Sequence, residues 1–152
     1  MPPSTEQRSQ PLLRLPKNQT PAMVTLHDGE RAQVFLFVSP GDSVAQVLES
    51  GSAFVPMGFA SGTKLVARDA IAAISVHVLH APVEDELPGE RQAVVVRLES
   101  GAIVRGELRW VAMEGARRTL DFLNRDARHI VIHDVEHVIY VALAHVATVE
   151  EV

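Results

Sequence analysis

"VRLESGAIVRGELRW" (residues 96–110) alternates apolar and polar side chains on both sides of a Ser-Gly turn. In its second arm Val104, Gly106, Leu108 and Trp110 share one side, and Arg105, Glu107 and Arg109 the other. That is the two-residue period of a half-solvated strand, so the stretch reads as a β-hairpin. "VTLHDGERAQVFLFV" (residues 24–38) reads the same way around Asp28-Gly29. At a constant offset of 72, Leu26 falls on Leu98, Gly29 on Gly101 and Leu36 on Leu108.

The correspondence resumes downstream at an offset of 75, after a short insertion near Met113–Gly115. "SVAQVLESGSAFVPM" (43–57) falls on "RTLDFLNRDARHIVI" (118–132), and "LVARDAIAAI" (65–74) on "YVALAHVATV" (140–149). Val47 meets Phe122, Leu48 meets Leu123, Met57 meets Ile132, Ile71 meets Val146 and Ile74 meets Val149. One offset across separate blocks implies an internal duplication of a unit about 55 residues long.

Each unit reads as strand, turn, strand, short helix, strand, loop and strand, with room for a further short strand at its end. The first helix is signalled by Ser43 with Gln46 three positions on, a capping-box pattern, and by an apolar arc of Val44, Val47 and Leu48. In the second copy the arc is Leu120, Phe122 and Leu123, with Thr119 or a neighbour as cap, while Arg118, Asp121 and Asn124 face outward. The expected fold is mainly β with short helices: two tandem antiparallel sheets or partly open barrels, each with one helix. The expected layout is a flexible tail at 1–21, a first unit at 22–80, an acidic Pro/Gly linker at 81–92 and a second unit at 93–152.

Composition narrows the function classes. Hydrophobic residues make up 47% of 152, enough for a packed core, but aromatics only 5%, so the core is built from Val, Leu, Ile and Ala. There is no cysteine, which removes disulfides, thiolate zinc sites and a cysteine nucleophile. The net charge of −5 opposes nonspecific attraction to nucleic acid or anionic membrane. No apolar run approaches the roughly 20 residues of a membrane span, and the first residues lack the apolar core of a signal peptide. A cytoplasmic protein is the expectation.

The chemically richest stretch is "RRTLDFLNRDARHIVIHD" (117–134). His129, His133 and His137 recur every fourth residue, a metal-binding spacing on a helix. The β-branched surroundings place them on strands instead, where a four-residue step covers about 13 Å and separates the ligands. Only His133, Asp134, Glu136 and His137, brought round a turn, could share an ion; solvated turn residues are the simpler account. No serine sits in a G-x-S-x-G elbow, and neither G-x-x-x-x-G-K-[ST] nor G-x-G-x-x-G occurs. No catalytic residue, cofactor or metal is therefore assigned. Seven arginines fall between Arg97 and Arg128, but five acids interleave with them, and only Trp110 and Phe122 offer stacking surfaces there. The first unit carries Phe35 and Phe37 on an outer row where its twin has Glu107 and Arg109. Either another part of the protein covers this row, or it is a patch for a partner or a second subunit.

"R118-T-L-D-F-L-N124" resembles bacterial domains of unknown function in which a hairpin is followed by an R-x-x-D-x-L-N helix and then short strands. The first unit departs from that pattern, with Ser43, Gln46 and Glu49 at the matching positions. "VRLESGAIVRGEL" also resembles the opening of an Sm-like barrel, although Sm-like domains begin with a helix and here the helix follows the second strand. These resemblances imply a fold and no activity. The expectation is a non-enzymatic adaptor of a bacterial cytoplasm, binding a protein partner and possible as a homodimer. The alternatives are a small RNA- or DNA-binding barrel, or a small-molecule or nucleotide sensor seated between the units. The candidate partner surface is Arg117, Arg118, Asp121, Asn124, Arg125, His129, His133, Phe35 and Phe37.

Overall fold

Two glycines in left-handed conformation, Gly29 at φ 93° and Gly101 at φ 96°, turn the two hairpins. The same hydrogen bonds close both. Gly29 donates to the Leu26 carbonyl and Leu26 to that of Glu30; Gly101 donates to Leu98 and Leu98 to Ala102. Asp28 Oδ1 accepts from the Glu30 amide at 2.9 Å, and Ser100 Oγ from the Ala102 amide at 3.3 Å. Two different side chains thus do one job, the side-chain-to-backbone turn bond open to Asp and Ser.

The computed structural model describes residues 18–39, 42–81, 89–111 and 118–152. The first repeat contains β1 (Asn18–Leu26), β2 (Arg31–Val38), α1 (Ala45–Glu49), β3 (Phe54–Phe59), β4 (Gly62–Ala67), a 3-10 turn (Arg68–Ala70) and β5 (Ile71–His77). A second 3-10 turn (Val78–His80) leads toward the next repeat. There follow β6 (Glu90–Leu98), β7 (Ile103–Trp110), α2 (Thr119–Leu123), β8 (His129–His133), β9 (His137–Ala142), a 3-10 turn (Leu143–His145) and β10 (Val146–Glu151). From β3 to the start of β5, each element of the first repeat begins 75 residues before its twin. The duplication thus extends to a fifth strand and a 3-10 turn in each copy. Among the described residues no helix is long and apolar enough to cross a membrane.

All ten strands form one antiparallel sheet in the order β10-β6-β7-β8-β9-β5-β1-β2-β3-β4, not closed into a barrel. Each repeat contributes the same five-strand order, and β9 joins β5 at the seam between them. The seam is the reason β5 opens with four consecutive buried apolar residues, Ile71 to Ile74. Ile71, Ile74 and Val76 enter the first core, while Ala72 and Ala73 enter the second. From the other side, β9 sends Val138 and Tyr140 into the first core and Val141 into the second. There are thus two cores, each completed by a strand of the other repeat.

Several boundaries differ from the sequence reading. β1 begins at Asn18, inside the stretch expected to be tail, and β6 begins at Glu90, inside the expected linker. A strand absorbs polar residues on its solvent face, so polarity alone misplaces its ends. Ser43 does not cap α1: the N-cap is Val44, no side chain caps it, and Val44 is buried. Val44 and its twin Thr119 are both buried, so packing sets the start of α1, whereas α2 has a capping box between Arg118 and Asp121 in addition. Residues 1–17 of the tail, 82–88 of the linker, and Arg117 lie outside the described residues.

Candidate functional site

The outer row of β2 is the exposed one, as the alternation implies. Val34 and Leu36 are buried, while Phe35 is 48% exposed. Across the sheet, Phe35 stands opposite Pro21, Gln33 opposite Met23, Met23 opposite Ser75, and Ser75 opposite Ile139. His77 stands opposite His137 across the seam. Four strands from both repeats therefore present one row on the face away from the first core, and a cavity of about 630 Å³ lies over it. Met23, Phe35, Phe59 and Ile139 give it apolar walls; Arg31, His77, His80, Asp134 and His137 bring polar groups to it.

The imidazoles are partly fixed. His77 Nδ1 accepts the Leu79 amide hydrogen at 3.1 Å, so in the neutral ring the proton sits on Nε2. The His77 and His137 rings meet edge to face, 5.6 Å between centroids and 77° between planes. His137 Nδ1 lies 4.0 Å from Asp134 Oδ2, too far for a good hydrogen bond. Among the described residues no group of three or more His, Asp or Glu side chains is placed to hold a metal ion. Ser75 shares the cavity with these histidines, yet no hydrogen bond among the described residues joins its hydroxyl to either ring.

The residues singled out in 117–134 are dispersed over several places. Arg118 is the N-cap of α2, and its guanidinium grips Asp121 through two contacts of 3.1 Å. Asp121 also accepts the Arg118 backbone amide at 3.4 Å, and these bonds hold its carboxyl below the usual Asp range. Arg125 lies 4.3 Å over the Phe122 ring, which stacks on Trp110 at 5.0 Å. This stack pins α2 to β7. Asn124 is the exposed C-cap of the helix. His129 contacts the Glu49 carboxylate, tying β8 to α1 of the other repeat. His133, at the far end of β8, lines a separate depression with Arg105, Glu107 and Arg109. Phe37 lines a third, beside α1, with Gln46 and Phe54. Of the eight described residues expected to form one partner surface, only Phe35 reaches the seam cavity.

Met23, His77, His80 and Ile139 were absent from the sequence reading because the seam pairs residues 60 to 68 positions apart in the chain. One signal pointed to it. "IAAI" at the start of β5 is apolar without alternation, the mark of a stretch covered on both faces, while its twin "VATV" carries a threonine and leads into two glutamates. The arginine-rich hairpin is also neutralised locally. Glu107 lies 2.7 Å from Arg109 and 3.3 Å from Arg91, and its carboxyl is held below the usual Glu range, chiefly by the Arg109 hydrogen bond. No protein-family model, curated protein or solved structure matches the chain.

Proposed function

We propose that the chain is a non-enzymatic binding module whose seam cavity grips an apolar, aromatic-bearing segment of a protein partner. One observation carries the reading: a half-exposed Phe35 stands over an apolar floor that both repeats build together, with Arg31 and the histidines at hand for polar contacts. A large aromatic left half in water, beside a concave wall, is the kind of anchor around which binding hot spots form. The test is a photo-reactive phenylalanine placed at Phe35 and, as a control, at Ile103, which is equally exposed on the other repeat. Cross-linking of one protein from position 35 alone supports the reading. Equal labelling from both positions, or none, removes it.

A small-molecule ligand in the same cavity is the second reading. Its support is the volume, which falls within the roughly 300–1,000 Å³ of ligand sites, and the position between two repeats. A rise in Tm with aromatic acids or nucleotides, abolished by Phe35→Glu, would favour it over the protein partner. Nucleic acid ranks lower, because Glu107 already occupies Arg91 and Arg109.

A further inference from the structure

The sheet ends on β4 at one side and β10 at the other. These are the twins of the two seam strands: β4 corresponds to β9, and β10 to β5. The pairing that joins the repeats inside the chain therefore has its two halves as edge strands at opposite ends, unpaired among the described residues. We infer that copies of this chain join head to tail, β4 of one copy pairing antiparallel with β10 of the next in the register of the internal seam.

The internal register sets the contacts. Ile74 opposite Tyr140 and Ser75 opposite Ile139 become, at the offset of 75, Val149 opposite Leu65 and Glu150 opposite Lys64. The second pair brings together opposite charges. The first accounts for an otherwise anomalous side chain. Leu65 is 69% exposed on an edge strand, while its twin Tyr140 is 5% exposed because the neighbouring repeat covers it. Leu65 would enter the second core of the next copy as Tyr140 enters the first core here. Elsewhere the ends are more polar than the seam, with Thr63 and Glu151 in place of Val138 and Val76. Charged, polar edge strands resist indiscriminate pairing. A Lys on one edge and Glu on the other resists pairing of like edges while permitting the unlike pair. The joint is heterologous, so it propagates to a ring where the rotation closes and to a filament where it does not.

Sedimentation of the full chain tests this. The expected result is a mass above the 16.6 kDa of one chain, rising with concentration. Lys64→Glu alone and Glu150→Lys alone should each weaken assembly about tenfold, by setting like charges across the joint. Mixing the two variants in equal amounts should restore assembly, since each then offers the other an opposite charge. Leu65→Asp should abolish assembly while leaving the circular dichroism melt unchanged. A mass of one chain at every concentration overturns the inference. So does an oligomer that all three variants leave intact. A monomer that assembles only after removal of residues 1–17 would assign the edge to that segment and overturn it as well.

Discussion

Tyr140 of the second repeat stands opposite Ile74 of the first, and both are buried in the first repeat's core. The two repeats are thus one folding unit: neither core closes without a strand of the other. Truncating a buried aromatic costs about 3–5 kcal/mol. Tyr140→Ala should therefore destabilise the whole chain on that scale. Chemical denaturation should show fluorescence of the single Trp110, which reports the second repeat, moving together with circular dichroism from both. A separate, unshifted Trp110 transition would mean that the repeats unfold independently.

Gly106 brings β7 against β8. A methyl group there would meet Ile132 Cγ2 at 2.5 Å and the His133 carbonyl oxygen at 2.6 Å, and a backbone carbonyl does not swing aside as a side-chain end does. Gly106→Ala should cost about 1–3 kcal/mol through forced separation of the strands. Gly62→Ala, where the added Cβ meets nothing within 4 Å, isolates a different cause, backbone strain at φ 128°. Thermal melts of both, with hydrogen exchange at β7 and β8, distinguish them: only Gly106→Ala should speed exchange in those strands.

Much of this architecture was legible because hairpins and repeats are written locally. The alternation in 96–110 predicts β6 and β7, and the offset of 75 predicts that β8, β9 and their helix repeat β3, β4 and theirs. The site was not legible, because it arises where β5 and β9 meet, and no local pattern says which strands meet. The charged stretch 117–134 drew attention for its chemistry, yet much of it holds the fold together: Arg118 and Asp121 fasten the start of α2, and His129 reaches Glu49. Residue type marked these groups as unusual; only geometry shows that their partners lie within the chain.

The His129 to Glu49 contact crosses from one repeat to the other and is partly exposed, 18% and 40% for the two side chains. Such pairs contribute modestly, about 0.2–1 kcal/mol. A double-mutant cycle with His129→Ala and Glu49→Ala should return a coupling energy in that range. A coupling near zero at low salt would show that the contact adds nothing to the seam.

Acid should weaken the second repeat through two carboxylates. Arg109 and Arg91 hold Glu107 below its ordinary value, and Arg118 does the same for Asp121. A carboxyl whose folded pKa lies below its unfolded one binds fewer protons when folded. Its contribution is therefore fully present above the unfolded value, near pH 4, and is lost as pH falls through the lower folded value. Glu107→Gln and Asp121→Asn should each lower Tm at neutral pH and converge on the parent as pH falls through the lowered folded values. Both groups are near the surface, so the effect is small and calls for melts at closely spaced pH. Parallel Tm curves for variant and parent across that range would show that neither ion pair is linked to folding.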